Sequence, residues 1–526
     1  MPNKKSLGDV FSGVPLTLVG DSPTAWETIE VTGAVLDSRQ VVPGSLFLAV
    51  KGAKSDSHAF IPQAIENGAA AVLVESRCIA EASAVARHIP VFATDSPREA
   101  HARVAANLFE HPSSALKSIA VTGTNGKTSV SWIAANLLAA IDGPSALIGT
   151  LGTAVIDSQA GQRPTFRTTD NTTPDPLSTQ RFLAEAKQQG ARSAVLEATS
   201  QGLVQQRTRG MQWDCGIFTN LTRDHLDLHG DLETYARAKA TLFEVELAES
   251  RKSSRIAVLN IDDPIGARMH DAYAKRFQDI TVVGYSTHQA TADALLVESL
   301  GDLYGTRLRL RILGHELEVQ SRLVGAYNAS NILATLAALV ALGYKPGALS
   351  EAMSEVAAVP GRLELVAPAK VHVFVDYAHT PDALVTVQQS LRPLCSGRLI
   401  TVFGCGGDRD RGKRPLMGQA VAELSDIAIV TSDNPRTEDP HRIISDILPG
   451  LSPAHARQDF RYEIEVLRDQ AIHRALELAE SGDAVLIAGK GHEPYQEICG
   501  VKHPFDDREV CLEAMRSKGV LKQDSG

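Results

Sequence analysis

The chain has 526 residues, of which 44% are hydrophobic and 22% charged, and its formal net charge is −10. This composition is ordinary for a soluble globular protein, and at roughly 100–200 residues per domain the length predicts about three domains. The acidic balance, without a basic stripe, argues against a nucleic-acid partner, and no apolar run reaches the ~20 residues of a membrane span.

The N-terminus and the cysteines indicate the compartment. Residues 1–13 carry two lysines but lack the apolar core of a signal peptide. The six cysteines are scattered and form no CxxC pair, so neither a zinc site nor a disulfide framework is predicted. We therefore expect a reducing cytoplasm. As a separate expectation, the protein is a monomer.

Residues 1–112 are predicted to form a small α/β domain. The apolar runs Ser45–Val50, Ala70–Glu75 and Pro90–Thr94 read as short buried strands. A helical pattern over Pro97–Phe109 follows, with its proline in the first turn, where a helix tolerates it.

Residues 113–356 form the predicted central domain. A strand at Ser118–Val121 leads through a glycine-rich turn into a helix over Ser129–Ala140. Strands that alternate with helices predict a parallel sheet wrapped by helices. The other elements predicted here are the strands Ser193–Ala198, Cys215–Asn220 and Ile256–Asn260 and the helix Asn328–Leu342.

Residues 357–526 repeat the alternating pattern and predict a Rossmann-like domain. Its four predicted strands are Val371–Asp376, Leu399–Gly404, Ile427–Ser432 and Ala484–Gly489. Ligands bind beyond the carboxyl ends of strands in such open sheets, and the turns here are polar or glycine-rich. The expected fold class is therefore α/β in three domains, with a P-loop-type parallel sheet at the centre.

The turn after the first central strand is a candidate phosphate loop. Its glycines let backbone N–H groups surround phosphate oxygens, and the following helix adds its positive dipole end. Lys127 would neutralise the β- and γ-phosphates and Thr128 would bind Mg²⁺. Val121 stands where the common pattern has its first glycine, and a plain glycine-rich turn is the alternative. The residues predicted to bind ATP or GTP are Gly123, Thr124, Asn125, Gly126, Lys127 and Thr128.

This loop resembles the ATP loop of the Mur ligases and of the folylpolyglutamate synthetases, two families that activate a carboxylate as an acyl phosphate and join it to an amine. Further motifs similar to those of the Mur ligases follow in order: Leu36–Arg39 with Pro43–Phe47, Asn171–Pro174, Thr219–Asp227, Tyr235–Phe243, Tyr327–Asn331, Gly361–Glu364 and Asp376–Pro381. With the glycine-rich turn 489–493 they extend over residues 36–493. The chain is thus identified as a member of the Mur ligase family, similar to its diaminopimelate-adding members.

The resemblance implies an ATP-dependent, ADP-forming ligase that adds meso-diaminopimelate to the D-glutamate of UDP-N-acetylmuramoyl-L-alanyl-D-glutamate in peptidoglycan precursor synthesis. It implies two Mg²⁺ sites and a CO₂-derived carbamate on Lys239. The implied catalytic residues are Lys127, Glu197, His225 and Lys239, of which the last three join Thr128 as metal ligands. Further ATP contacts implied are Asn331, Arg362 and Asp376. From the residues alone, Glu197 could be a surface glutamate, His225 structural, and Lys239 a solvated helix residue.

The sequence Asp433-Asn434-Pro435-Arg436 matches the signature of diaminopimelate-adding members. An arginine fork binds carboxylates bidentately, and diaminopimelate has a distal carboxylate that lysine lacks. Without that carboxylate a buried Arg436 would stay unpaired, so we expect lysine to be rejected. A simple turn with a solvated arginine is the alternative. The implied diaminopimelate contacts are Arg409, Asp433, Asn434, Arg436, Gly489 and Glu493. Either Glu493 or His379 could take the proton from the attacking amine.

The acceptor nucleotide is expected to contact the first two domains. The residues implied are Ser38, Asn171, Thr172, Thr173, Thr199, Gln205 and Arg207. Gln201 stands where the family commonly has a histidine, and residues 55–58 match the family's uracil loop only loosely. The expected partners are thus small molecules.

Individual motifs of the chain also suggest four other functions. A lysine-adding ligase is disfavoured by Arg436, and a folylpolyglutamate synthetase by the UDP-binding motif at Leu36–Phe47. A nucleotide switch or motor would explain Gly123–Thr128 but not the segment around Lys239. A dinucleotide-binding oxidoreductase is disfavoured because Gly404–Gly407 contains no GxGxxG pattern.

Overall fold

The computed structural model describes residues 4–19, 25–52, 56–86, 88–158, 164–222, 226–452 and 459–521. The chain divides into two compact units. The first comprises Met1–Asp293 and Ala334–Tyr344, and the second comprises Ala294–Leu333 and Lys345–Gly526. Among the described residues, no helix is both long and apolar enough to cross a membrane.

The first unit begins with a five-stranded sheet in the order β2-β7-β6-β5-β4, parallel except for β2. Its elements, with a small β1–β3 ribbon, are β1 (Lys5–Ser6), α1 (Leu7–Val10), β2 (Thr17–Val19), β3 (Glu30–Val31), β4 (Gly33–Val35), β5 (Ser45–Leu48), α2 (Ile61–Glu66), β6 (Ala71–Glu75), α3 (Ile79–Val85), β7 (Val91–Thr94), α4 (Pro97–Leu108) and α5 (Pro112–Ala115). Two apolar clusters, built around Phe92 and Phe47, form its cores. The three strands and the helix predicted here are confirmed to within two residues.

The same unit continues with a sheet in the order β10-β9-β11-β8-β12-β13-β14, parallel except for β10. Its elements are β8 (Lys117–Thr122), α6 (Lys127–Ile141), β9 (Ser145–Gly149), β10 (Gly152–Ile156), α7 (Pro176–Gln188), β11 (Ser193–Glu197), α8 (Ser200–Val204), β12 (Cys215–Phe218), α9 (Leu226–His229), α10 (Leu232–Thr241), β13 (Ile256–Asn260), α11 (Pro264–Arg276) and β14 (Thr281–Ser286). The predicted parallel sheet is confirmed. Helix α6 begins two residues earlier than predicted, so Lys127 and Thr128 form its first turn.

The second unit opens with an antiparallel meander that the sequence reading missed. It consists of β15 (Ala294–Gly301), β16 (Thr306–Ile312) and β17 (His315–Ser321). Strand β16 alternates buried and more exposed residues, which is the pattern of a strand with one solvated face. The helices that follow are α12 (Ala326–Ala341), whose C-terminal half belongs to the first unit, and α13 (Pro346–Met353).

The remainder of the second unit is a doubly wound sheet in the order β18-β19-β23-β20-β21-β22, parallel except for β18. Its elements are β18 (Glu364–Leu365), β19 (His372–Asp376), α14 (Pro381–Leu391), β20 (Leu399–Phe403), α15 (Lys413–Leu424), β21 (Ile427–Val430), α16 (Pro440–Ile447), β22 (Arg461–Ile464), α17 (Arg468–Leu478), β23 (Ala484–Ala488), β24 (Tyr495–Ile498), β25 (Val501–Pro504) and α18 (Asp507–Ser517). Separate apolar clusters cover its faces. The Rossmann-like prediction is confirmed, and the carboxyl ends of β19, β20, β21 and β23 bring the predicted polar turns to one edge.

Candidate functional site

The phosphate loop of the first unit is a tight turn between β8 and α6. Gly126 has a φ of 86° and Gly123 a φ of 151°, and a Cβ on Gly123 would overlap the hydroxyl of Thr219. Only glycine therefore fits at position 123. The Nζ of Lys127 donates to the carbonyl oxygens of Gly123 and Thr124 at 3.0 and 2.9 Å. The lysine thus lies over the loop, where phosphates would enter.

A second chain segment secures this loop. The Thr219 hydroxyl donates to the carbonyl oxygen of Asn125 at 2.5 Å, and the side-chain oxygen of Asn220 accepts from the amide of Asn125 at 2.9 Å. This segment follows β12, the strand beside β8. His225 follows a few residues later in the same motif and lies outside the described residues.

Glu197 ends β11, next to the loop, and is only 1% exposed. Its Oε2 accepts a hydrogen bond from the hydroxyl of Thr128 at 3.0 Å. The hydroxyl and the backbone amide of Thr150 donate to the same carboxylate at 3.0 and 2.8 Å. The alternative that Glu197 is a surface residue is therefore wrong, and a hydroxyl beside a carboxylate is an oxygen donor set suited to Mg²⁺.

Lys239 lies on α10 and is 1% exposed. Its Nζ donates to the carbonyl oxygen of Gly123 at 2.7 Å and lies 4.3 Å from the ring centroid of Tyr235. The alternative of a solvated helix residue is therefore wrong, because the side chain points into the phosphate loop. Within the described ranges, no group of three or more His, Cys, Asp or Glu side chains forms a metal site, so Thr128 and Glu197 alone mark the candidate metal position.

Several predicted acceptor contacts meet at the same carboxyl end of β11. The Thr173 hydroxyl donates to the carbonyl oxygen of Glu197 at 2.7 Å and lies 2.9 Å from the Thr199 hydroxyl. The Thr172 hydroxyl lies 3.4 Å from that of Thr150. Arg207 donates to the carbonyl oxygen of Thr173 at 2.9 Å, and burial lowers the pKa of its guanidinium.

The other predicted acceptor contacts do not form hydrogen bonds with this group of threonines in the described residues. Ser38 is buried, and its hydroxyl donates to Gln63 at 2.7 Å within the N-terminal domain. Asn171 is exposed, and its carbonyl oxygen accepts from Thr169. Gln205 is half-buried at the end of α8. Gln201, on the same helix, is exposed.

Residues 55–58, which resemble the uracil loop of the family only loosely, are described in part, because Ser55 lies outside the described residues. The Nδ1 of His58 lies 2.5 Å from a carboxylate oxygen of Asp56. Its Nε2 accepts from the backbone amide of Glu75 at 3.1 Å. Both ring nitrogens of His58 are therefore used within the N-terminal domain itself.

In the second unit, the predicted amino-acid contacts gather after β21 and β23. Asn434 donates from its side chain to Glu493 at 2.8 Å, and its side-chain oxygen accepts from the amide of Glu497 at 2.9 Å. Asp433 leaves one buried carboxylate oxygen without a hydrogen-bond partner among the described residues. A Cβ on Gly489 would overlap that oxygen, and the φ of 118° at this position lies in the region that favours glycine.

Arg436 has a left-handed φ of 52°. One guanidinium nitrogen donates to the carbonyl oxygen of Gly407 at 2.8 Å, and its Nε lies 3.4 Å from a carboxylate oxygen of Glu497. The expectation that Arg436 would be unpaired without substrate is therefore wrong, since Glu497 supplies a carboxylate. The alternative of a solvated arginine is also wrong, since its side chain is 21% exposed. Arg409 is exposed, and it borders the same glycine, Gly406, as Arg436.

The predicted nucleotide contacts of the second unit surround Asp376. This buried carboxylate accepts from the amides of Leu363 and Ala378 at 2.6 and 2.7 Å, and burial raises its pKa to about 6. The Arg362 guanidinium lies 4.7 Å from the ring centroid of Tyr377. Asn331 donates to Asn328 at 3.1 Å on α12.

The two candidate bases differ in bonding. Glu493 accepts from Asn434 and lies 3.4 Å from the Nζ of Lys490. The Nδ1 of His379 lies 2.7 Å from the carbonyl oxygen of Tyr377, so this nitrogen carries the proton and Nε2 is the basic one. Both remain candidates.

Two residues at these sites were missed by the sequence reading. Lys490 is fully buried, and its Nζ contacts the side chain of Asn434 and the carbonyl oxygen of Tyr495. Lys490 lies inside the motif Gly489–Glu493, and membership of that motif is the only feature of the sequence that indicates a role for it. Thr150 directly follows the apolar strand β9, which was itself not predicted.

Family models match three consecutive regions of the chain. Residues 30–122 match the Mur ligase family, catalytic domain; residues 121–339 match the Mur ligase middle domain; and residues 361–491 match the Mur ligase, glutamate ligase domain. The combined match covers most of the sequence.

Similar proteins of known name also belong to this family. The UDP-N-acetylmuramoyl-L-alanyl-D-glutamate–2,6-diaminopimelate ligase of Syntrophomonas wolfei is 40% identical over 490 residues, which are 93% of this chain and 95% of that protein. A solved structure of a ligase of the same name has 35% identity and a TM-score of 0.70, covering 99% of this chain and 100% of the other. The fold is also shared, at 19% identity and a TM-score of 0.61, with a MurF ligase from Thermotoga maritima in complex with ADP, over 92% of this chain and 97% of that one. The chain therefore belongs to the Mur ligase family.

Proposed function

We propose that this protein is an ATP-dependent, ADP-forming ligase that adds meso-diaminopimelate to the D-glutamate of UDP-N-acetylmuramoyl-L-alanyl-D-glutamate, a step of peptidoglycan precursor synthesis. The observation that carries the proposal is the close grouping of Lys127, Thr128, Glu197 and Lys239 around one phosphate loop. Its similarity to diaminopimelate ligases along 93% of the chain supports the choice of substrates.

The first chemical step joins two anions, so positive charge must be concentrated at the loop. A carboxylate oxygen of the D-glutamate attacks the γ-phosphorus of ATP, the bond to the bridging oxygen breaks, and ADP leaves. Lys127 and the N-terminus of α6 would stabilise the charge that builds on the phosphoryl oxygens. Attack by the amine on the acyl phosphate then expels phosphate, and either Glu493 or His379 takes the proton.

The donor set at β11 fits Mg²⁺, since Thr128 and Glu197 supply hard oxygen atoms within one hydrogen bond of each other. We propose that these two residues and His225 hold one ion and that Lys239, as a carbamate, helps to hold a second. When bound, Mg²⁺ would neutralise the phosphates and the attacking carboxylate. Lys239 fits the carbamate proposal because it is buried with its nitrogen at the loop.

The acceptor substrate would bind along Asn171, Thr172, Thr173, Thr199, Gln205 and Arg207, with Ser38 contacting it from the N-terminal domain. Asn331, Arg362 and Asp376 are the proposed nucleotide contacts of the second unit. Asp376 is a buried acceptor at a strand end, which suits a hydroxyl group of a ribose. Thr124, Asn125 and the loop glycines would surround the phosphates.

The incoming amino acid would bind at the turns after β21 and β23. Arg436, with Arg409 beside the same glycine, would bind the distal carboxylate of diaminopimelate. Asp433 would face its distal ammonium group, and its carboxylate oxygen without a hydrogen-bond partner among the described residues supports this assignment. Glu493, as a candidate base, would contact the attacking amine. Asn434 and Gly489 would complete the pocket.

We further propose domain limits of 1–112, 113–356 and 357–526, a monomeric state and a cytoplasmic location. All six cysteines are free thiols, which suits a reducing compartment. The small-molecule substrates require no nucleic-acid or membrane partner.

The decisive experiment measures phosphate release from ATP and Mg²⁺ with UDP-N-acetylmuramoyl-L-alanyl-D-glutamate and either meso-diaminopimelate or L-lysine. Release that needs the acceptor and diaminopimelate, with little from lysine, is the expected result. Equal use of lysine would overturn the pocket assignment but keep the ligase. Steady hydrolysis without either substrate would overturn the ligase proposal.

A further inference from the structure

The carboxylate of Glu197 is held mainly by one residue outside the predicted site. Thr150 donates twice, from its amide to Oε1 at 2.8 Å and from its hydroxyl to Oε2 at 3.0 Å. Thr128 makes the third hydrogen bond, to Oε2 at 3.0 Å. Both oxygens of the carboxylate are therefore fixed, and Thr150 contacts each of them.

The sheet explains why Thr150 can reach this carboxylate. Strand β9 pairs in parallel with β11, so that Ile148 lies opposite Leu196. Gly149 and Glu197 then end their strands side by side, and a Cβ on Gly149 would overlap Oε1 of Glu197. The absence of that side chain lets the backbone of Thr150 approach the carboxylate directly.

The hydroxyl of Thr150 has a second neighbour. It lies 3.4 Å from the hydroxyl of Thr172, which belongs to the proposed acceptor-binding loop. A hydroxyl carries one proton and two lone pairs. Since the Thr150 proton is donated to Glu197, Thr172 is the donor in this contact, and one hydroxyl touches both the metal-holding carboxylate and the acceptor loop.

We infer that Thr150 is a positioning residue for Mg²⁺ binding, and that its hydroxyl joins the metal-holding carboxylate of Glu197 to the acceptor loop at Thr172. A long side chain such as glutamate loses rotamer freedom when it binds an ion, and Thr150 removes that freedom in advance. The inference rests on the proposed function, because it assumes that Glu197 holds the cation of the bound nucleotide.

The test compares Thr150→Val, which removes only the hydroxyl and keeps the amide donor, with Thr150→Ser, which restores the hydroxyl. The matched control is Thr179→Val on α7, because the Thr179 hydroxyl is buried and has no hydrogen-bond partner among the described residues. For each variant, calorimetry gives the affinity for a non-hydrolysable ATP analogue with and without Mn²⁺. The ratio of the two affinities measures the contribution of the metal without any turnover.

We expect Thr150→Val to lower this ratio by about tenfold, the size of effect seen when a residue that orients a metal ligand is removed. Thr150→Ser should recover most of the ratio, Thr179→Val should keep it, and the metal-free affinity should stay constant throughout. In steady-state kinetics of the same variants, Thr150→Val should raise the KM for the acceptor nucleotide more than the KM for diaminopimelate.

A wild-type ratio in Thr150→Val would overturn the inference, as would a loss that Thr150→Ser does not recover. If Mn²⁺ adds nothing to nucleotide affinity in the wild-type protein, the metal site of the proposed function fails, and the inference fails with it. A wild-type protein that gains affinity from Mn²⁺ but does not ligate diaminopimelate would overturn the proposed substrate while leaving the role of Thr150 standing.

Discussion

The Nζ of Lys239 lies 2.7 Å from the carbonyl oxygen of Gly123, the first glycine of the phosphate loop. The lysine comes from α10, which is far from the loop in sequence, and it is buried against the ring of Tyr235. A buried lysine at a phosphate loop is a costly arrangement unless its nitrogen serves the site. Carbamylation would turn this cation into an oxygen ligand at the same position.

Lys239→Ala should therefore lower the rate of ligation by about 10- to 100-fold, the usual effect of losing a group that supports a metal. Protein labelled with ¹³CO₂ should show a carbamate ¹³C signal that disappears in Lys239→Ala. Arg237→Ala, an exposed residue of the same helix, is the control and should keep both the signal and the rate. A carbamate signal that persists without Lys239 would contradict the assignment.

Arg436→Lys should raise the KM for diaminopimelate by about 10- to 100-fold, since hydrogen bonds to charged groups contribute about 1.5–3 kcal/mol. Lysine keeps the charge but cannot form the planar fork that binds a carboxylate. The KM for ATP should stay unchanged, which distinguishes a pocket effect from a loss of folded protein. Steady-state kinetics with each substrate varied in turn provide the measurement.

Glu497→Gln tests the internal partner of Arg436. The carboxylate of Glu497 lies 3.4 Å from the arginine Nε and repels a substrate carboxylate that binds the same guanidinium. Removing that charge should lower the KM for diaminopimelate by a few-fold and make use of lysine still poorer, because Arg436 then has no carboxylate of its own. An increase in lysine turnover would contradict this expectation. It would show that Glu497 anchors Arg436 in the pocket, because an arginine that moves away no longer excludes lysine.

Asp376 should make nucleotide affinity depend on pH. Burial raises the pKa of this carboxyl to about 6, so it is ionised at pH 8 and mostly protonated at pH 5. If the carboxylate accepts from the nucleotide, the Kd for ATP should rise as the pH falls through 6. Asp376→Asn should bind ATP more weakly at pH 8, and its Kd for ATP should no longer change as the pH falls through 6. Calorimetry at a series of pH values gives both results.

Glu246 should make stability depend on pH through a group away from the site. It is buried in the π-helical turn after α10 and accepts from Thr208 and Trp213 at 2.7 and 3.0 Å. Burial raises its pKa from 4.5 to about 7. Between these values the folded protein binds the proton and the unfolded chain does not, so stability falls as the pH rises and levels off above 7.

The loss attributable to Glu246 should be on the order of 3 kcal/mol across that range. Glu246→Gln can keep both hydrogen bonds without a charge, so its unfolding free energy should fall less than that of the wild-type protein between pH 4.5 and 7. Chemical denaturation of both proteins at several pH values gives the difference, and other titrating groups cancel in the comparison. Parallel curves would contradict the assignment.

The parallel sheets could be read from the sequence because their strands are buried on both faces. Every residue of Ser193–Glu197 and Ile427–Val430 is buried, the interior residues are apolar, and polar turns bound both runs. The meander β15–β17 was missed because β16 and β17 have one solvated face and alternate apolar with polar or charged residues, and β15 is mostly exposed. Hydrophobic runs alone do not reveal such strands.

By itself, the sequence determined the α/β class, the phosphate loop and the family, because these follow from local patterns and from motifs in a fixed order. Only the tertiary structure decided which side chains share an environment. The burial of Lys239 against Gly123, the partner that Arg436 finds in Glu497 and the double contact of Thr150 with Glu197 all join segments that are distant in sequence. Such contacts arise from the pairing of strands and the packing of helices, and no local pattern encodes them.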